Sequence, residues 1–111
     1  MENQSIISFD EFQKFVEANP SVCFYLSTPK CNVCKILKPK VVELIGTKFP
    51  QIRFVYVDLN EAKEIAGQLS VFAVPTILIY FDSKEVIRAS RNISLEMLGE
   101  QIERYYQLMF E

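Results

Sequence analysis

Three cysteines and no histidine stand in this 111-residue chain, and two of the three form the segment Cys31-Asn32-Val33-Cys34. Two thiols separated by two residues can carry out dithiol–disulfide exchange when they open a helix. At a helix N-terminus a thiolate meets unpaired backbone N–H groups and the positive end of the helix dipole, so its pKa falls. The spacing puts Cys31 at the open first turn and Cys34 about one turn along, on the apolar face. Cys31 is expected to attack a substrate disulfide, and the shielded Cys34 to attack Cys31 once a mixed disulfide has formed. Other chemistries lack their residues. Without histidine, neither a Cys-His pair nor a Ser-His-Asp triad is possible. A tetrahedral zinc site needs about four Cys/His ligands, and haem or iron–sulfur ligation fails for the same want of ligands. No metal and no cofactor is expected.

The charge pattern supports a thiolate at this place. Between Glu17 and Glu43 there is no Asp or Glu, while Lys30, Lys35, Lys38 and Lys40 give residues 18–42 a formal +4 in a chain of net charge −2. Lys30 and Lys35 flank the motif and are expected to favour the Cys31 thiolate. For Lys38 and Lys40 the competing role is a solvated helix face. Cys23, beside Phe24 in an apolar run, reads as a small buried hydrophobe.

The elements that must position the motif follow from periodicity. Ser8-Phe9-Asp10-Glu11 has the form of a capping box, with Ile7 and Phe12 placed as a hydrophobic staple. A helix over about Phe9 to Ala18 follows, burying Phe12, Phe15 and Val16, and Asn19-Pro20 stops it. Val22 to Leu26 is a continuous apolar run, as in a strand covered on both faces. The helix begun near Cys31 buries Cys34, Leu37, Val41 and Leu44, and Pro39 within it predicts a kink. Ile52 to Val57 is a second strand; Ala62, Ile65, Ala66 and Leu69 mark a short helix after Asn60. Thr76 to Phe81 and Val86 to Ser90 are strands joined by Asp82-Ser83-Lys84-Glu85 as a hairpin. Leu95, Leu98, Ile102, Tyr105 and Met109 line a C-terminal helix. Strands separated by helices predict parallel pairing, the late hairpin adds antiparallel strands, and Ile6-Ile7 offers a short extra edge strand.

Composition bounds the rest. Half the residues (50%) are apolar and 13% aromatic, enough for one domain over 1–111 with a real core. The near-neutral charge excludes a general nucleic-acid binder. No apolar run approaches the roughly 18–20 residues that span a bilayer, so no membrane is expected. The opening MENQSIISFDEF lacks a basic segment followed by an apolar stretch, which predicts no signal peptide and a cytoplasmic protein.

Taken with Pro39, five residues beyond Cys34, and Val74-Pro75-Thr76 ahead of the hairpin, the Cys31-x-x-Cys34 motif after a buried strand resembles the thioredoxin superfamily. The resemblance covers nearly the whole chain, from about Ile6 to the C-terminal helix. It implies a thioredoxin-like α/β fold, a central mixed sheet of four to five strands flanked by about four helices. Pro75 lies 41 residues after Cys34, where family members place a cis-proline facing the dithiol; on its own residues it fits a trans proline opening an edge strand as well. By resemblance, Val74, Pro75 and Thr76 bind substrate, the backbone of Val74 pairing with an extended peptide and Pro75 keeping metals and stray ligands off the sulfurs.

The departures are as specific. Thioredoxin proper has Trp-Cys-Gly-Pro-Cys, where this chain has Lys30-Cys31-Asn32-Val33-Cys34 and no tryptophan. The family's buried Asp, six residues before the first cysteine, and its Lys on the next strand are read here as Tyr25 and Phe54. The usual Gly before the last helix falls at Arg91 or a neighbour. The expected function is thiol–disulfide oxidoreduction on protein or peptide disulfides, with a thiol reductant or reductase as second partner. The alternative is a non-enzymatic module that binds a peptide along the Val74-Pro75 edge, its dithiol a leftover or a redox sensor. A peroxidase lacks the Thr/Arg surroundings that peroxide activation needs.

Overall fold

In the computed structural model, which describes residues 6–110, a seven-residue apolar strand forms the middle of the molecule. This strand, β1 (Ser21–Ser27), is buried at every position. It pairs in parallel with β2 (Arg53–Asp58) on one side and antiparallel with β3 (Thr76–Phe81) on the other; β4 (Lys84–Ser90) pairs antiparallel with β3. The sheet order is β2-β1-β3-β4. Successive strand residues point to opposite faces, so β1 feeds two cores. Val22, Phe24 and Leu26 pack with Phe12, Val16 and Ile65, beneath α1 (Phe9–Ala18) and α3 (Lys63–Leu69). Cys23 and Tyr25 pack with Cys34, Val41, Ile45, Leu98 and Ile102, beneath α2 (Asn32–Lys48) and α4 (Leu95–Phe110). Each fully buried large apolar side chain contributes about 1.5–3 kcal/mol, which is why no polar residue interrupts β1 between Val22 and Leu26.

Several sequence expectations are corrected in detail. Both halves of the Ser8/Glu11 capping box form, but Ile7 is 48% exposed and Ile6 is the buried neighbour, so the staple is not made by Ile7. Ile6-Ile7 is not a strand, and the sheet among the described residues has four strands. The parallel rule holds for β1-α2-β2 and fails for β2-α3-β3, because β3 crosses β1 to its far side and runs against it. In α2 the buried line runs Cys34, Val41, Ile45, with Leu44 only half-buried; in α4 it runs Leu98, Ile102, Tyr106, with Tyr105 38% exposed. Both stripes advance by four at the step where the sequence reading advanced by three, since 3.6 residues per turn allows either and packing chooses. Tyr106 is held in place by its hydroxyl, which accepts the Gln51 N–H at 3.2 Å. The helix α2 runs through Pro39 as one element. No helix among the described residues is long and apolar enough to cross a membrane.

The hairpin is tighter than its sequence suggests. Lys84 and Glu85 belong to β4, leaving Asp82 and Ser83 alone in the turn with φ of 55° and 67°. Two consecutive positive φ values define the type I′ turn that matches the twist of two strands. The register then slips between Ile79 and Tyr80, so that Val86 is the extra residue of a bulge. Arg88, beyond the bulge, grips Glu85 at 2.8 and 2.9 Å and donates to the carbonyls of Leu69 and Ser70. The last turn of α3, and the loop after it, are thereby fixed to the sheet.

Ser83 occupies the left-handed region at a cost of about 1–2 kcal/mol, more than glycine loses by its extra freedom when unfolded. Ser83→Gly is expected to raise unfolding free energy by about 0.5–1 kcal/mol, read as a higher urea midpoint at unchanged slope. An equal or lower midpoint would contradict the turn assignment.

Candidate functional site

The motif sits where β1 hands the chain to α2. Cys31 is the N-cap residue of α2, with φ −81° and ψ 104°, and its Sγ accepts the Cys34 N–H at 3.1 Å. That is the position and the bond a Ser or Asp makes at other helices, satisfying one of the orphan donors of the first turn. The Cys31 carbonyl meanwhile accepts the Lys35 N–H at 3.2 Å. Cys31 is half-buried and Cys34 is 2% exposed. The two are joined in a disulfide, their Cα atoms 5.2 Å apart. One sulfur is thus reachable and the other covered, set by nothing more than the three-residue offset on a helix lying against a sheet.

Behind Cys34 the surroundings are aromatic. Tyr25, fully buried, donates its hydroxyl to the Cys34 carbonyl at 2.7 Å. That carbonyl belongs to the first turn of α2, so the bond ties the dithiol to the central strand. The residue opposite Tyr25 on β2 is Tyr56, not Phe54, which stands opposite Cys23. Both rings lie on the α2 face, 6.3 and 6.1 Å from the Tyr25 ring. Period-two alternation puts both residues on the face of Tyr25, and register sets Tyr56 directly opposite it. The Tyr56 hydroxyl accepts the Ser27 hydroxyl at 3.1 Å. Lys38, one turn beyond Cys34 on α2, holds its Nζ 4.5 Å from the centre of the Tyr56 ring. It is half-buried rather than a solvated face residue, a placement cation–π attraction favours. Lys30, Lys35 and Lys40 are exposed.

The Val74-Pro75-Thr76 segment reaches the same edge of the sheet through register. Thr76 pairs with Leu26 on one side and Ser90 on the other. The loop out of β1 that carries Cys31, the start of β3 and the end of β4 therefore lie side by side. The Val74–Pro75 peptide bond is cis. Val74 is half-buried and Pro75 buried. Thr76 is buried, and its hydroxyl donates to the Ala73 carbonyl at 2.6 Å, so its side chain is spent on holding the loop. Arg91 has φ 63° and donates its N–H to the Pro75 carbonyl at 3.1 Å. The left-handed position ahead of α4 is thus Arg91 itself. Phe72, 87% exposed on the loop into Val74, was not singled out by sequence; a lone aromatic among short polar and small residues was the available signal. Among the described residues no group of three or more metal-ligating side chains converges.

Known proteins can be set beside this geometry. The family model described as Thioredoxin matches residues 4–104. The thioredoxin-like protein YdfQ of Bacillus subtilis is 30% identical over 101 residues, covering 91% of this chain and 89% of that protein. An H-type thioredoxin of Fagopyrum esculentum is 30% identical over 79 residues, 71% of this chain and 67% of that one. Among solved structures, the thioredoxin of Fasciola hepatica superposes with a TM-score of 0.79 at 28% identity, over 91% of this chain and 97% of that one.

Three buried groups make stability fall at alkaline pH. Burial pushes the Cys23 thiol far up. It pushes Tyr25 up to about 12, with Tyr56 adding to the shift. Tyr80 is also pushed up to about 12, chiefly by burial, with Glu85 adding and Arg88 opposing. A folded pKa above the unfolded one means that the native state holds its proton longer. Stability is therefore full well below about pH 8.5, where the unfolded thiol is half ionised, and declines as pH rises towards the folded values. Unfolding free energy of the oxidised protein is expected to be level from pH 7 to 8, then to fall with growing slope. In Cys23→Ala the part of the slope between about pH 8.5 and 10 should vanish, whatever the variant's starting stability. A slope unchanged by that substitution would place Cys23 outside the desolvated core.

Proposed function

The chain belongs to the thioredoxin family, and from that premise we propose that it is a thiol–disulfide oxidoreductase that reduces or isomerises protein disulfides through Cys31 and Cys34. The observation that carries the reading is the division of the two sulfurs: Cys31 half-exposed at the N-cap with its Sγ taking a backbone N–H, Cys34 covered beneath it. In the reduced protein the same N–H stabilises a Cys31 thiolate, and exposed Lys30 and Lys35 add favourable charge. The thiolate attacks one sulfur of a substrate disulfide; the S–S bond breaks and the departing substrate thiolate takes up a proton. The Cys34 thiol then loses its proton and attacks Cys31 Sγ. The mixed disulfide breaks, the second substrate thiol leaves, and the Cys31–Cys34 disulfide is formed. Two electrons have passed to the substrate, and a thiol reductant or a reductase must return them. The backbone of Val74 is the proposed strand-like contact for the substrate segment. The proposed setting is the cytoplasm, where thiols are kept reduced and a dithiol works as a donor.

One observation favours a binding module instead. Tyr25 spends its hydroxyl on the Cys34 carbonyl and, with its pKa pushed up to about 12, carries no charge to help Cys34 lose a proton. In that reading a peptide lies along the Val74-Pro75 edge and the dithiol only senses redox state.

The two readings part on what Cys34 does. Cys34→Ser expressed in cells is expected to accumulate covalent adducts on non-reducing gels, because the mixed disulfide cannot be resolved. Cys31→Ser should accumulate few, since its remaining thiols are covered. Iodoacetamide at mildly acidic pH should label Cys31 first in the reduced protein. If Cys34→Ser traps nothing while partners bind a protein lacking both cysteines, the module reading stands and the enzyme reading is lost.

A further inference from the structure

Four non-glycine residues among those described have positive φ: Ser70, Asp82, Ser83 and Arg91. Three are explained by local structure, Ser70 ending α3 and the other two forming the hairpin turn. Arg91 is different. Its N–H is tied to the Pro75 carbonyl, so the backbone there is left-handed whatever the side chain, and glycine would hold it at less cost. A residue kept in a strained conformation invites the question of what its side chain does.

The side chain stands on the wall of a groove. This depression, about 400 Å³, runs beside the loop into the cis peptide and is lined by Phe72, Ala73, Thr76, Arg88, Ser90 and Arg91, among others. No acidic residue lines it. The Arg88 guanidinium is already held by Glu85 and by the Leu69 and Ser70 carbonyls. Arg91 is exposed and forms no ion pair among the described residues. Phe72, at 87% exposure, is the most exposed large apolar side chain described. The register Leu26–Thr76–Ser90 puts this groove at the end of the sheet where β1 leads into the loop of Cys31.

The geometry points to a specificity subsite: Arg91 and Phe72 receive, from the disulfide-bearing polypeptide, an acidic side chain next to an apolar one. The guanidinium pairs with the carboxylate, and the Phe72 ring covers the apolar neighbour. This deepens the proposed exchange reaction and rests on it for its substrate, though the charge preference is a binding property of the groove alone.

The test uses two synthetic peptides, each closed by one disulfide, that differ only in carrying Asp-Leu or Lys-Leu beside the cysteine. Their reduction is driven by dithiothreitol, and the readout is the ratio of kcat/KM values. The wild type is expected to favour the acidic peptide about five-fold, the range of an exposed ion pair, with the ratio shrinking as salt is raised. Arg91→Gly should bring the ratio close to one while raising the urea midpoint; Arg91→Lys should keep most of the ratio. Ser83→Gly, which relieves the same kind of strain away from the groove, should raise the midpoint and leave the ratio alone. Phe72→Ser should weaken binding of both peptides together. A ratio in Arg91→Gly equal to that of the wild type overturns the subsite, as does a loss of stability that lowers both rates equally. The same peptides, reduced and alkylated, are titrated by fluorescence anisotropy to keep the two claims apart. If the wild type reduces neither peptide but binds the acidic one better through Arg91, exchange is wrong and the subsite stands. If it shows no binding preference either, the subsite falls too.

Discussion

Complete burial of β1 is the constraint to which the rest of the molecule is indexed. A strand with partners on both edges and helices on both faces has its backbone hydrogen bonds satisfied laterally and its side chains desolvated above and below. It therefore cannot slip by one residue without moving Tyr25 and Cys23 from one core to the other. Because β1 cannot slip, the place where it ends cannot either. Ser27 closes the strand and Cys31 caps the next helix, so the position of the dithiol is inherited from the packing of Val22, Phe24 and Leu26 twenty or so ångströms of chain away. The same strand fixes the opposite wall, since Thr76 and, through it, Ser90 take their register from Leu26.

The aromatic backing of Cys34 shows how one substitution redistributes a job. A carboxylate buried behind the second cysteine would carry charge at a cost of desolvation. Tyr25 avoids that cost: it is neutral, stacks near Tyr56 and Phe54, and donates to the Cys34 carbonyl. The bond anchors the first turn of α2 in place of any electrostatic help to the sulfur. The cation near this place enters from the helix instead, Lys38 resting on the Tyr56 ring.

Two residues beside the cis peptide stand apart from the strained turn at the other end of the sheet. The turn at Asp82-Ser83 lies at the far end of the β3–β4 hairpin and is satisfied by hairpin geometry. Arg91 and Phe72 are set against local preference, one by backbone conformation and one by hydration, and both flank the Val74-Pro75 loop. Surfaces selected only for stability would replace the first with glycine and the second with a polar residue.

How much of this the sequence held can be told residue by residue. It determined the order and kind of the elements, because the apolar run Val22–Leu26, the capping box at Ser8 and the period of Leu98 and Ile102 are local signals that tertiary packing here does not oppose. It located the dithiol and the Val74-Pro75 segment, because those depend on residue type and spacing along the chain. What it left open depends on register and on which side of a helix meets the sheet. Tyr106 rather than Tyr105 in the core and Ile6 rather than Ile7 under α1 are choices between neighbours of equal hydrophobicity. A one-residue difference costs nothing in local propensity and is decided only when whole faces pack. The pairing of β3 with the far side of β1, and the left-handed backbone of Arg91 tied to Pro75, are likewise products of tertiary structure, since each joins segments that have no contact until the sheet has formed.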